Sequence, residues 1–566
     1  MSLFSSIRMA SNTLRANQIS MQVIGQNISN ANTPGYLREE VVLTPAPTQH
    51  FGGLLLGMGV EVQAVVQKVD HFLEDRLRAS TSDRAGSEVI EETYSQLEGL
   101  VNELGDTDLS TSLNSFFSSI SEILNQPESD SVRNLAVLEG NKFAEEVRRL
   151  AQRVTSLRTD LNDRVHDMAE RINNLTQEIQ TLNIRIAEAE GGDVSSSDAV
   201  GLRDQRMVAL EELATLIDIR VEEQASGGVN VYSGGDFLVF EGTRREVEVV
   251  MDTDGGIAVS EIHLSETDSP LSATSGELAG LTYARDDVLG GFVDQLDEFA
   301  STMIFEFNKV FSSGQGLRGY DEIASEFALD ATDVALDQAG LAFTPVNGSF
   351  QVMIHNRDTG LTETTDIRVD LNGMGDDDTT LEDLVARLDA VDGLSASISA
   401  TRRLQISSDS SDQEFAFGED TSGVLASLGL NTFFAGTDAL SMNVSQALKD
   451  DPAKFAASRT GIGADTDNAV DLADFADREI ESQNGDSIRV LYMRMTSETA
   501  QGSAISAAEA EGNRVFEETL RGQKLATSGV SIDEEAVKMI AVQQSFSAAA
   551  RFITTLSEMM QMLVNL

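Results

Sequence analysis

The chain has 566 residues, with 93 Asp and Glu against 40 Lys and Arg, a formal net charge of −53, and neither cysteine nor tryptophan. That length holds a sizeable core, and 41% hydrophobic residues exclude a chain disordered throughout. A surface this negative repels nucleic-acid phosphate and anionic lipid, and the lack of cysteine excludes disulfides and thiolate chemistry.

No apolar run approaches the ~18 residues of a membrane span, so no membrane insertion is expected. The opening MSLFSSIRMASNTLRANQ has no continuous signal-peptide core, so any export is expected to proceed without a cleaved Sec-type signal.

Leu3, Ile7, Ala10, Leu14, Met21, Ile24 and Ile28 follow a 4-3-4-3 spacing with Asn17 in the gap, which predicts a helix with one apolar seam. Asn30-Ala31-Asn32-Thr33-Pro34-Gly35-Tyr36 ends it, Pro and Gly suiting the second and third positions of a type II turn. The stretches after the turn, as far as Gln67, alternate apolar and polar residues and read as short strands or a hairpin.

From Asp70 the pattern is helical, with stripes at Ile90, Tyr94, Leu97, Val101 and Leu104, and at Leu109, Leu113, Phe116, Ile120 and Ile123. A long helix carries an apolar stripe from Val147 to Ile186 and ends at Gly191-Gly192; another follows through GLRDQRMVALEELATLI. Residues 219–262 alternate β-branched residues between Gly-Gly turns, and helix resumes near Gly276 and runs past Leu296, Phe299, Met303 and Phe307.

Residues 320–445 read as strands and Asp/Gly/Ser turns around one short helix, Thr380 to Leu388, which Thr380 and Asp383 are placed to cap. Helix returns near Asn468. At the end Met539, Val542, Phe546, Ala549, Ile553, Leu556, Met560 and Leu563 repeat the heptad seam.

The expected fold is therefore mainly α with β insertions. Terminal heptad helices at 1–65 and 528–566 pair as a coiled coil, a long-helix stalk is drawn from 66–218, 273–319 and 461–527, and β-rich parts at 219–272 and 320–460 project outward. Both terminal helices carry almost no charge, so they are expected to seek contacts all round, mobile in the monomer and helical once neighbouring subunits cover them.

No catalytic, cofactor-binding or metal-binding residue is assigned. The five histidines have no helical metal-ligand spacing, and Gly314 to Gly319, although matching G-x-G-x-x-G, follow a helix where a dinucleotide site needs a strand. Asp376-Asp377-Asp378 after Gly375, and Asp252 and Asp254 before Gly255, lack the EF-hand pattern and read as solvated turns. The residues describe a structural or interaction protein and not an enzyme, with a free coiled-coil surface protein or an acidic hydrolase using a carboxylate pair in 320–460 as rivals.

The block LRANQISMQVIGQNISNANTPGYLREEVVL, residues 14–43, resembles the N-terminal signature of the flagellar rod, hook and hook-associated axial proteins, and SGVSIDEEAVKMIAVQQSFSAAARFITTLSEMMQMLVNL, residues 528–566, resembles its C-terminal partner. The GLRDQRMVALEELATLIDIRV and SGELAGLTYARDDVLGGFVDQLDEFASTMIFEFN blocks are similar to those of the hook-associated members, against the alternative of a hook or distal-rod protein. LEDLVARLDAVDGLSASISATRRLQISSD resembles a small helix-plus-strands repeat of flagellin and hook-associated proteins, whereas KVFSSGQGLRGY departs from the family pattern after Asn308.

That resemblance implies a secreted protein at the hook–filament junction, exported unfolded through the flagellar type III apparatus and assembled as a ring of identical subunits. The implied partners are the hook protein, the second junction protein on the filament side, and an export chaperone on the seam from Val542 to Leu563. The seams at Leu3, Ile7, Leu14, Met21, Ile24 and Ile28, and at Met539, Val542, Phe546, Ile553, Leu556, Met560 and Leu563, would be the assembly interface. Asn30, Asn32, Thr33, Pro34, Gly35 and Tyr36 would be the family turn.

Overall fold

The computed structural model describes residues 3–51, 54–101, 108–191, 199–254, 257–374, 377–463 and 465–564. Leu104, Gly192, Gly255, Gly375, Asp376 and the side chain of Leu563 lie outside that description. In chain order the helices are α1 (Leu3–Asn30), α2 (His71–Val101), α3 (Leu109–Asn125), α4 (Asp130–Glu190), α5 (Val200–Leu216), α6 (Glu277–Tyr283), α7 (Gly291–Ser312), α8 (Leu381–Asp389), α9 (Val424–Leu428), α10 (Gln446–Asp450), α11 (Asp467–Ala473), α12 (Ile488–Ser528) and α13 (Ile532–Val564). A π-helical turn, Ala284–Gly290, links α6 to α7.

The strands are β1 (Glu39–Pro45), β2 (Gln49–Phe51), β3 (Leu54–Leu56), β4 (Val60–Gln67), β5 (Arg220–Glu223), β6 (Val229–Ser233), β7 (Asp236–Phe240), β8 (Thr243–Arg244), β9 (Val247–Asp254), β10 (Ile257–Leu264), β11 (Ser269–Pro270), β12 (Glu322–Ala324), β13 (Gly348–Asn356), β14 (Thr362–Val369), β15 (Leu394–Ile398), β16 (Leu404–Ser408), β17 (Gln413–Gly418), β18 (Phe434–Ala435) and β19 (Asn443–Val444). The protein is mainly α with several small sheets, as the periodicities predict.

The chain divides into two compact units, one of residues 1–93, 159–286 and 504–566, the other of 94–158 and 287–503. In the first, α1 lies along α13 and also packs on β1 and β4, which pair antiparallel with a bulge at Val42/Leu43. Its other sheets are β2-β3, β5-β6-β7-β8 and β11-β10-β9, all antiparallel. The heptads alone suggest terminal helices formed only under neighbouring subunits, whereas in the single chain both are formed and pack together.

The SGELAG segment owes its glycines to close approach within this unit. A Cβ on Gly280 would stand 2.5 Å from the Gly86 carbonyl oxygen, and one on Gly276, where φ is +94°, would stand 2.7 Å from that of Leu216. Only glycine brings α6 that near to α2 and to the end of α5.

The second unit is built on phenylalanine. Phe116, Phe307, Phe433 and Phe434 form a buried cluster with ring centroids 4.7 to 5.6 Å apart, mostly tilted or edge-on. Its β-rich part joins β14-β13-β17 and β12-β16-β15 around Phe350, Phe415, Phe417 and the inner face of α8, whose Thr380 and Asp383 form the expected capping box. Gly314, Gly316 and Gly319 let the chain after α7 run against backbone at Ser458, Ala453 and Phe415.

Candidate assembly site: the meeting of the two terminal blocks

The first unit brings the end of α1, the following turn and the start of α13 to one place. Thr33 N–H donates to Asn30 O (2.9 Å) and Tyr36 N–H to Thr33 O (3.2 Å), while Gly35 has φ +77°, so Thr33-Pro34-Gly35-Tyr36 is the type II turn that its sequence predicts. The Asn30 side chain accepts from the Thr33 hydroxyl and donates back to Gln26 O; Asn32 and Pro34 are exposed. Gly35 faces α5: a Cβ there would stand 2.4 Å from Val208 Cγ2.

At the centre is Asn27, 1% exposed, whose side chain makes every hydrogen bond that an amide offers. Its Oδ1 accepts from the Tyr36 hydroxyl (2.8 Å) and Glu39 N–H (3.0 Å). Its Nδ2 donates to Glu39 O (3.0 Å) and, across the chain, to Glu535 Oε2 on α13 (3.1 Å). The turn, the start of β1 and the start of α13 thus converge on one side chain.

Arg38 holds the same joint from the other side, its guanidinium reaching Glu535 (2.9 Å) and Glu534 (3.2 Å) while its N–H donates to Ser528 O (3.0 Å). Asp533, Glu534 and Glu535 occupy the first turn of α13, where carboxylates suit the helix dipole. Burial pushes the Glu535 carboxyl upward, but Asn27, Lys538 and Arg38 outweigh it and hold its pKa below the ordinary value.

Beneath the turn lies Asp204 of α5, bonded by Gln67 Nε2 (2.5 Å) and the Leu37 backbone. Burial, with Glu39 nearby adding to it, raises Asp204 to about 7, and burial likewise raises Glu39. Two reluctant carboxylates and the Tyr36 hydroxyl therefore share a partly dry pocket at the base of the turn.

The seams are placed unequally. On α13, Met539, Val542, Phe546, Ile553 and Met560 are half-buried and Leu556 is buried. On α1 the buried residues are Ser6, Ala10, Ala16, Val23, Ile24 and Asn27, while Leu3, Ile7, Leu14, Met21 and Ile28 are half-buried. Asn17 Nδ2 meets Ser545 Oγ (3.0 Å) between the helices, and Asn12 Nδ2 donates to Met58 O (3.2 Å) on the β4 side. Away from α1, α13 exposes Val537, Ile540, Phe552, Met559 and Met562, and its last turn exposes Val564.

Asn27, Arg38, Asp204 and Glu535 were not singled out by the sequence patterns, although each lies in a quoted block. The available signals were a polar Asn27 beside the seam position Ile28 and a third consecutive acid at the start of α13.

Residues 94–326 match the family described as the helical domain of flagellar hook-associated protein FlgK. Residues 7–36 match the flagella basal body rod protein family, and residues 521–566 the C-terminal family of the flagellar basal body rod proteins FlgEFG, so Asn27 and Glu535 each fall in a matched terminal block. Flagellar hook-associated protein 1 of Bacillus subtilis is 24% identical over 100% of this chain and 98% of its own length; that of Escherichia coli is 22% identical over 99% of each. The flagellar hook junction protein FlgK of Burkholderia pseudomallei shares the fold, with a TM-score of 0.52 and 14% identity over 80% of this chain and 99% of that one.

Proposed function

Because the chain belongs to the flagellar hook-associated proteins, we propose that it is a structural junction subunit, exported through the flagellar type III apparatus and built into a ring of identical copies between hook and filament. Its neighbours in this reading are the hook protein on one side and a second junction protein on the other. Before assembly, an export chaperone covers α13 from Val542 to Leu563. The role is mechanical and requires no catalysis, metal or cofactor.

The observation that carries the reading is the apolar face that α1 leaves uncovered on α13. Helices that are apolar on two sides expect a second partner. Segments 1–65 and 528–566 hold only five basic and seven acidic residues, so copies of a chain carrying −53 can approach there without strong repulsion. Within this reading the Asn27–Glu535 joint fixes the two terminal helices of one subunit, and the outer face of α13 meets the next.

A strain lacking the gene is expected to make hooks without filaments and to recover motility with the wild-type chain. A Phe552→Asp, Met559→Asp double variant, which puts charge on the exposed face, should fold and yet fail to restore filaments. Filament growth at the wild-type level with that variant contradicts the assignment.

A further inference from the structure

Within the first unit α2 and α12 pair over Leu73, Leu77 and Leu520, and on the solvent side of that seam stands an arrangement that the terminal helices do not account for. Phe72 is 71% exposed and Phe516 is 47% exposed. Between them lies the guanidinium of Arg76, its Cζ 5.7 Å from the Phe72 ring centroid and 5.8 Å from that of Phe516. Both distances fall within cation–π range.

Two features set this group apart. The other basic side chains of the helix pair in this unit, Arg78, Arg84, Arg514, Arg521 and Lys524, each hold a carboxylate in an ion pair. Arg76 is exposed and, among the described residues, has no such partner, in a chain where acids outnumber bases by more than two to one. Large exposed rings beside an arginine are also what a binding hot spot supplies: apolar area next to charged donors.

We infer that Phe72, Arg76 and Phe516 form a clamp for a side-chain carboxylate on a second copy of this chain. A guanidinium near both rings and without a carboxylate partner keeps donors available, and their fork matches the two oxygens of a carboxylate. Charge complementarity selects the occupant, because a copy carrying −53 presents carboxylates over most of its body. The clamp rests on the self-assembly reading above and adds a contact outside the terminal helices, one that turns mutual repulsion between acidic subunits into a specific attachment point.

The chain has no cysteine or tryptophan to complicate labelling, and the test uses the full-length protein in cells lacking the native copy. With p-benzoylphenylalanine in place of Phe72, irradiated flagella should yield a covalent dimer whose cross-linked peptide carries an Asp or Glu. Arg76→Glu should leave the thermal midpoint of the purified chain unchanged and reduce incorporation about tenfold, Arg76→Lys should reduce it less, and changing the cross-linked acid to Arg should restore the Arg76→Glu variant. The clamp is overturned if incorporated chain cross-links only to a different protein or not at all, or if Arg76→Glu is incorporated at the wild-type level. If the unmodified chain is itself absent from purified flagella, the assembly reading falls and takes the clamp with it.

Discussion

Asn27 on the first helix donates through Nδ2 to Glu535 Oε2 on the last, at 3.1 Å and across 508 positions of sequence. Both side chains are 1% exposed. A buried bond between opposite ends of a chain is a constraint on how those ends fold, and it ties the two matched terminal blocks to one another.

Replacing Asn27 tests that constraint by chemistry and not by size. Asn27→Asp removes both donors and sets a carboxylate against the Glu39 carbonyl and the Glu535 carboxylate, so it should cost about 3 kcal/mol or more. Asn27→Ala leaves the partners unpaired without adding charge and should cost about 2 kcal/mol. Urea unfolding of the full chain, followed by a signal from the first unit, should rank Asp as the worse substitution, and the reverse order contradicts the hydrogen-bond assignment.

Glu535 also gives an acid dependence. Its folded pKa lies below the ordinary value of 4.5, so the stability it contributes is present above 4.5 and is lost as pH falls through the folded value. The unfolding midpoints of wild type and Glu535→Gln should therefore differ at pH 7 and converge as the pH drops below 4.5. A gap that stays constant into acid places the effect in packing alone.

Asp204 has the opposite sign. Its pKa is raised from 3.8 to about 7, so the native state takes up a proton that the unfolded state has lost, and stability declines as pH rises through that interval. Asp204→Asn should be nearly neutral only below pH 3.8, already stabilising at pH 5 and more so at pH 8. Equal midpoints at both pH values would show that the pocket is wetter than its geometry indicates.

Gly35→Ala combines a left-handed φ of +77° with a Cβ 2.4 Å from Val208 Cγ2. The strain and the overlap together should cost about 2 to 3 kcal/mol. Val208→Ala in the same chain should recover the overlap and not the strain, so a double-mutant cycle should show positive coupling of about 1 kcal/mol. Additive effects contradict the contact between turn and α5.

Much of the fold was legible because its signals are local. The stripe from Val147 to Ile186 is buried throughout except at Leu157 and Leu175, which are half-buried, and α4 extends beyond it to Asp130 and Glu190 because polar flanks continue a helix without adding to a stripe. The α13 seam was legible for the same reason, since one partner helix takes one face. On α1 the heptads catch the buried Ala10 and Ile24 but miss Ser6, Ala16, Val23 and Asn27, because α1 serves β1 and β4 as well as α13, and the chain at Met58 and Gly59 runs close against Met9 and Asn12. The Asn27, Arg38 and Glu535 joint was not legible because its partners are joined by the fold and not by spacing, and the Phe72, Arg76 and Phe516 clamp lies on two helices more than four hundred residues apart.

The central claim is that α13 leaves one apolar face for a neighbouring subunit while the joint at Asn27 holds its start in place. Hydrogen exchange on the purified full-length chain and on the same chain in isolated flagella tests it most directly. The account predicts that amides from Val537 to Met562 exchange faster than those of α4 from Leu161 to Ile186 in the free chain, and slow by about a hundredfold or more on incorporation, while the α4 amides stay unchanged. Equal protection of α13 in both states would contradict it, because the helix would then need no partner.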